Sequence, residues 1–257
     1  MYEYEGLQDV IFIALYCVAA FAALLACVYL LCRRGNAFMQ EKGPESVKTI
    51  ETPNGPLRLG SGVRSSLRLR RWTAALMAAI VGSHVWWYAL GQIWLTDDRL
   101  VRNIVAIALD HMTLVPLTMA VLLAMLQDWR RPLWPWLVAE VSAVVVTAVM
   151  GIAGRDEFWG YDVLGYCQLA LIAGFIVYYA LALRYYGRWL RDNYANLEHK
   201  EVWQSLVFAV GLFVVYEVYT SNGGELLREY LSQIVTLVII AFLLWRVETL
   251  QELKDEA

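Results

Sequence analysis

The run Val10-Ile-Phe-Ile-Ala-Leu-Tyr-Cys-Val-Ala-Ala-Phe-Ala-Ala-Leu-Leu-Ala-Cys-Val-Tyr-Leu-Leu-Cys32 carries no charged side chain from end to end. A spanning helix needs about 20 mostly apolar residues, and this run supplies them. The rest of the chain has the same character. Hydrophobic residues make up 60% and charged residues 18%, with a mean hydropathy of +0.49. Soluble domains are usually about 45–50% apolar and about 25% charged. The composition excludes a soluble globular enzyme, a disordered tail and a nucleic-acid-binding domain. Cys17, Cys27, Cys32 and Cys167 lie in or beside apolar runs, which offers neither an exported disulfide framework nor zinc-ligand spacing.

Working outward, seven runs are long enough to span: Val10–Cys32, Trp72–Leu95, Asn103–Gln127, Trp134–Ala153, Leu164–Gly187, Trp203–Thr220 and Tyr230–Arg246. The first is no cleavable leader, because Glu3, Glu5 and Asp9 flank it where a basic segment belongs. With the N-terminus outside, 17 of the 21 Lys and Arg fall in cytoplasmic segments and 4 fall opposite. With the run lengths, the positive-inside rule therefore predicts an all-α polytopic protein of seven transmembrane helices, N-terminus outside and C-terminus cytoplasmic. Tryptophan agrees. Trp72, Trp129, Trp134, Trp136, Trp189, Trp203 and Trp245 fall at the inner boundary, and Trp94 and Trp159 at the outer one. Trp86 and Trp87 lie deep in helix 2.

The domain division expected is an extracytoplasmic N-terminus at 1–9, a membrane domain at 10–246 and a short cytoplasmic helical tail at 247–257. Residues 33–71 read as a flexible basic linker, broken by Gly43, Pro44, Pro53, Gly55, Pro56, Gly60 and Gly62. Its end, from Leu57 to Arg71, alternates Leu or Val with Arg and reads either as a stretch lying on the anionic inner leaflet or as plain positive-inside charge with no lipid specificity. Val247, Leu250 and Leu253 recur at helical spacing, so helix 7 is expected to run on into the tail.

Ionisable groups inside a bilayer cost about 2.5–3.5 kcal/mol each on insertion scales and mark candidate sites. They are His84, Asp110, His111, Glu140 and Glu217. From the rise per residue, His84 lies about 18 Å from the inner end of its helix, and Asp110 and His111 lie about 11 Å below the outer surface. A pairing of His84 with Asp110 or His111 is expected. The two cannot share one partner, because adjacent residues differ by about 100° around a helix. Glu217, about 5 Å deep, shares an outer polar layer with Gln92, Asn103, Gln168, Tyr216, Tyr219 and Gln233. That layer reads either as ordinary interface polarity or as a pocket open to the outside. Glu140 is expected alone in the inner half of helix 4.

Familiar seven-span chemistries do not fit. No span carries the lysine that a retinal Schiff base needs. Helix 3 ends Gln127-Asp-Trp-Arg130 and helix 7 has no proline, against the receptor pattern. Only His84 and His111 lie in spans, so a three-histidine zinc site is not available. No catalytic residue, metal site or cofactor is expected.

The segments Arg191-Asp-Asn-Tyr-Ala-Asn-Leu-Glu-His-Lys-Glu-Val-Trp-Gln-Ser205 and Ala241-Phe-Leu-Leu-Trp-Arg-Val-Glu-Thr-Leu250 cover about a tenth of the chain. They resemble the N-terminal membrane half of multi-span regulators from Bacteroidota, in which a helical bundle precedes an AraC-type helix-turn-helix domain or another cytoplasmic output. The resemblance implies a sensor or anchor. It departs in that no such output domain lies within these residues, so further sequence or a separate partner would supply it. Arg191, Glu198, His199, Lys200 and Glu201 are the expected signal-coupling residues. The partners expected are the lipid bilayer, a cytoplasmic signalling partner or fused output domain, and a second copy in a homodimer, with no nucleic-acid contact by this segment. A small-solute or ion transporter is the alternative.

Overall fold

The computed structural model describes residues 7–33, 48–52, 55–59, 66–93, 99–153, 160–194, 197, 200–220 and 225–253. Its helices are α1 (Leu7–Cys32), α2 (Leu67–Ile93), α3 (Arg99–Met125), α4 (Trp134–Ala153), α5 (Gly160–Asn193), α6 (Trp203–Thr220) and α7 (Glu225–Thr249). Five contain a stretch long and apolar enough to cross a membrane: Val10–Cys32, Leu67–Leu90, Val105–Met125, Gly165–Asn193 and Tyr230–Thr249. The apolar stretches described in α4 and α6, Trp134–Val146 and Trp203–Tyr216, are shorter.

Each helix packs on the next in chain order, and α7 returns to α1 and α2, which closes the bundle. The surface is apolar where a soluble protein would be polar. On α1, Ala19, Ala23, Ala26 and Leu30 are buried, while Val18, Phe21, Leu25, Val28 and Leu31 point outward. A small-residue stripe lets helix backbones approach closely, and the large apolar side chains are left for lipid. The interior core runs through Met77, Ile80, Leu123, Phe175, Tyr179 and Leu243.

Three expectations need correction. First, α2 begins at Leu67, ahead of the expected Trp72, because the Ser66 hydroxyl accepts a hydrogen bond from the Leu69 amide at 3.1 Å and caps the helix. Arg68, Arg70 and Arg71 are therefore helical. Second, the 33–71 linker contains a two-stranded antiparallel hairpin, β1 (Lys48–Thr52) with β2 (Gly55–Leu59), in register from Lys48↔Leu59 to Thr52↔Gly55. Thr49, Ile50 and Thr52 are β-branched, and a two-residue connection followed by Gly suits a hairpin. Third, α7 stops at Thr249 and Leu250–Leu253 is not helical. Leu250 is buried and Leu253 packs on the core, so the apolar stripe read as a helical tail folds back onto the bundle.

α5 also runs past the expected Gly187 to Asn193, so its length is about 51 Å. Its last turn is closed by the Asn193 side-chain amide donating to Trp189 O at 2.8 Å.

Candidate functional site

Buried polar side chains gather at four places along the bundle. On α2, Ser83, Trp86 and Trp87 share one helical face and converge on Asp110 of α3. Ser83 Oγ donates to Asp110 Oδ1 at 2.6 Å, Trp86 Nε1 to Oδ1 at 3.1 Å and Trp87 Nε1 to Oδ2 at 2.7 Å. Three donors on one carboxyl group make its burial tolerable, since hydrogen bonds to an ionised acceptor are about twice as strong as neutral ones. This explains two indoles far from the interface. Trp86 also needs the bare backbone of Gly82, where a Cβ would lie 3.0 Å from its ring.

His84 does not pair with Asp110 or His111. It points the other way, toward α7. Its Nδ1 lies 2.8 Å from Ile80 O and its Nε2 lies 3.0 Å from Gln233 Oε1. Both ring nitrogens face oxygens. A neutral ring closes the same pair when the Gln233 amide presents its NH2 to Nε2. Tyr16 of α1 covers the site, its hydroxyl donating to the His84 carbonyl and its ring centroid 4.6 Å from the imidazole. The expected pairing fails because Ser83 and His84 face different neighbours, and Asp110 is already filled from the Ser83 face.

His111 turns away from Asp110, as adjacent helical positions require, toward α4 and α6. Its Nδ1 is 3.9 Å from Glu140 Oε1, and its ring meets the edge of Tyr216 at 6.2 Å. Gln168 Nε2 of α5 donates to Glu140 Oε1 at 2.5 Å. Glu140 is therefore not alone, and Gln168 is engaged by Glu140 and does not line an open outer layer. Gln233 likewise leaves that layer for His84. Three buried atoms at this junction, His111 Nδ1, Glu140 Oε2 and Gln168 Oε1, have no hydrogen-bond partner among the described residues. A buried polar group without a partner costs about 1–3 kcal/mol, so a water, a proton or a small cation would be stabilised here. Among the described residues, no group of three His, Cys, Asp or Glu is placed to hold a metal ion.

The fourth place is the basic end, where α2, α4 and α6 begin and α1, α3, α5 and α7 finish. Arg70 Nη1 donates to Glu248 Oε1 at 3.2 Å with both side chains buried, and Arg70 Nη2 donates to Arg33 O at 2.7 Å. Gln127 brackets the chain after α7: its Nε2 donates to Gln251 O at 2.9 Å, and its Oε1 accepts from Leu253 N at 2.8 Å. An amide side chain reproduces a strand partner there, which is why helical spacing misread this segment. Arg246 Nη2 donates to Glu201 O at 2.8 Å, and Tyr186 OH to Lys200 O at 3.2 Å.

Of the residues expected to carry a signal, Lys200 and Glu201 are held by their backbone carbonyls. The Lys200 and Glu201 carbonyls are gripped from α5 and α7, the Glu201 side chain is exposed, and Lys200 Nζ lies 5.5 Å from the Tyr194 ring centroid. Arg191 belongs to the last turn of α5, where its Nε donates to Gly187 O at 3.2 Å. Glu198 and His199 lie outside the described residues, as do the side chains of Gln92, Asn103, Glu217 and Tyr219. Sequence reasoning missed Arg70–Glu248 and the Gln127 bracket. A signal for the former existed in Arg70, two residues from an apolar span, and Glu248, inside the Val247–Leu250 stripe.

No protein-family model matches the chain, and neither a curated protein nor a solved structure matches it significantly.

Proposed function

We propose that this chain is a sensory or signalling module of the bacterial inner membrane. In this reading all seven helices span, the N-terminus is outside and the C-terminus is cytoplasmic. A stimulus at the outer or intramembrane polar groups biases the packing of α7, and α7 hands the bias to a cytoplasmic output domain or partner. The 17-to-4 split of Lys and Arg supports the orientation. The resemblance of Arg191–Ser205 and Ala241–Leu250 to membrane-bound AraC-type regulators supports the output class.

The observation that carries the reading is the set of contacts along α7. One helix meets buried or half-buried polar partners at Gln233–His84, Arg246–Glu201 and Glu248–Arg70, and the chain after it is bracketed by Gln127. From Gln233 to Glu248 is about 22 Å of helical rise. Directional contacts along such a helix favour discrete registers over a continuum, and a ligand shifts the balance only as far as it binds two registers differently.

The test uses the full chain in lipid nanodiscs, with its cysteines replaced by alanine and spin labels at Arg188 and Glu252. The reading predicts that Gln233→Leu shifts the distance distribution between α5 and the tail by several ångströms. An unchanged distribution would contradict it. The transporter reading draws on the unpartnered atoms of His111, Glu140 and Gln168. It predicts proton or sodium flux into proteoliposomes that Glu140→Gln abolishes, where the signalling reading predicts flux at the empty-liposome level.

A further inference from the structure

Arginines at the basic end divide into two groups. Arg70 and Arg131 are spent on internal carboxylates, Arg70 on Glu248 and Arg131 on Asp128 through contacts of 2.6 and 2.7 Å. Arg246 is spent on the Glu201 carbonyl. Arg68, Arg71 and Arg130 are not spent in this way: among the described residues none of them forms an ion pair with a carboxylate. These three line one open recess of about 530 Å³, together with Trp72 and Ala75.

The recess follows from local structure. Residues 68, 71, 72 and 75 are spaced i, i+3, i+4 and i+7, so they form one face of the first two turns of α2. Ser66 capping brings Arg68 and Arg71 into that face; a helix starting at Trp72 would not hold them there. Arg130 comes across from the α3–α4 connection, and it is free to do so because its neighbour Arg131 closes on Asp128. Three guanidinium groups around one opening repel each other, and an oxyanion relieves that repulsion while taking forked hydrogen bonds from each.

We infer that this recess binds the phosphate of an anionic phospholipid. Trp72 lines its wall, and Trp129 and Trp134, close to Arg130 in the sequence, are exposed, a residue type that sits at headgroup depth. Beyond Ala75 the outward side of α2 is apolar, with Ala78 and Val85 exposed, which leaves a path for acyl chains below the headgroup. A free phosphate would share the oxyanion chemistry but would gain nothing from that apolar path. The inference is independent of the signalling reading.

The experiment is native mass spectrometry of the full chain with equal amounts of phosphatidylglycerol and phosphatidylcholine. Each arginine near an anionic surface contributes about fivefold in binding, so wild type should favour phosphatidylglycerol by well over about tenfold. Arg68→Gln/Arg71→Gln/Arg130→Gln should bring that preference to within about twofold of unity. Arg184→Gln/Arg188→Gln/Arg191→Gln, which removes the same charge from the end of α5, should keep it. The lysine triple at 68, 71 and 130 guards against misfolding and should retain most of the preference. Equal losses in both glutamine triples, or a preference that survives in the recess triple, would overturn the site. Binding of inorganic phosphate with no discrimination between the lipids would overturn the lipid assignment.

Discussion

Along the α2–α7 seam, His84 and Arg70 each meet two partners, one on α7 and one backbone carbonyl. Across α3, α4 and α5, His111, Glu140 and Gln168 also come together in the interior, yet each leaves a polar atom without a hydrogen-bond partner among the described residues. Both regions bury costly groups. The seam fixes the register of two antiparallel helices through contacts 14 residues apart on α2 (Arg70, His84) and 15 apart on α7 (Gln233, Glu248). The sector holds its groups near one another without completing their bonds. The contrast is one of extent: the seam's pairs cross between helices at two levels, whereas in the sector all three side chains keep an atom unbonded among the described residues.

The contrast is broken most forcefully at Arg70–Glu248. Removing one member of a buried ion pair strands the other, at a cost of about 3–5 kcal/mol. Glu248→Ala should lower stability by that amount, measured by unfolding in a bilayer mimic. Arg70→Met/Glu248→Leu should recover most of the loss, because paired apolar replacements remove both charges together. A double variant as unstable as the single would show that the pair does more than hold register.

The sector should respond in the same pattern with a smaller amplitude. Gln168→Leu alone strands Glu140 and should cost about 1–3 kcal/mol. Glu140→Leu/Gln168→Leu deletes both partners and should fall within about 1 kcal/mol of wild type. A Gln168→Leu variant losing about 3–5 kcal/mol would make the sector as structural as the seam.

Smaller effects sharpen the picture at either end. Gln127→Ala removes both bonds that bracket Gln251 and Leu253, each worth about 0.5–1.5 kcal/mol. It should speed amide exchange at Leu250–Leu253 while leaving mid-helix amides of α7 unchanged. Trp87→Phe removes one donor from Asp110 and should cost about 1–2 kcal/mol, with Ser83 and Trp86 still in place. A loss as large as that of Glu248→Ala would mean that Asp110 depends on a single donor.

Much of this architecture was legible as apolar run length, because covering a helix in lipid needs only uncharged residues and that is a one-dimensional property. Partner choice was not legible. Depth arithmetic brought His84 and Asp110 to the same level but could not say which side of α2 each would meet. That was decided by Ser83, Trp86 and Trp87 taking the Asp110 face. Gln168 and Gln233 left the expected outer polar layer for a similar reason, each finding an acid or a histidine on a neighbouring helix. The start of α2 was hidden because arginines at 68, 70 and 71 lower apparent hydropathy although Ser66 caps a helix there. The end of α7 was hidden because a helical stripe of Val247, Leu250 and Leu253 also serves a bent segment whose bonds come from Gln127, far away in sequence.

The central claim is that the mid-membrane pair and the basic end are coupled through α7. Its most direct test is a double-mutant cycle, with Gln233→Leu and Gln127→Ala alone and together, read as hydrogen exchange at Leu250–Leu253 in the full chain in nanodiscs. The account predicts that Gln233→Leu by itself accelerates exchange there, and that the two substitutions together do less than the sum of their separate effects. Exchange at the tail that ignores Gln233→Leu, with strictly additive behaviour in the double variant, would contradict it.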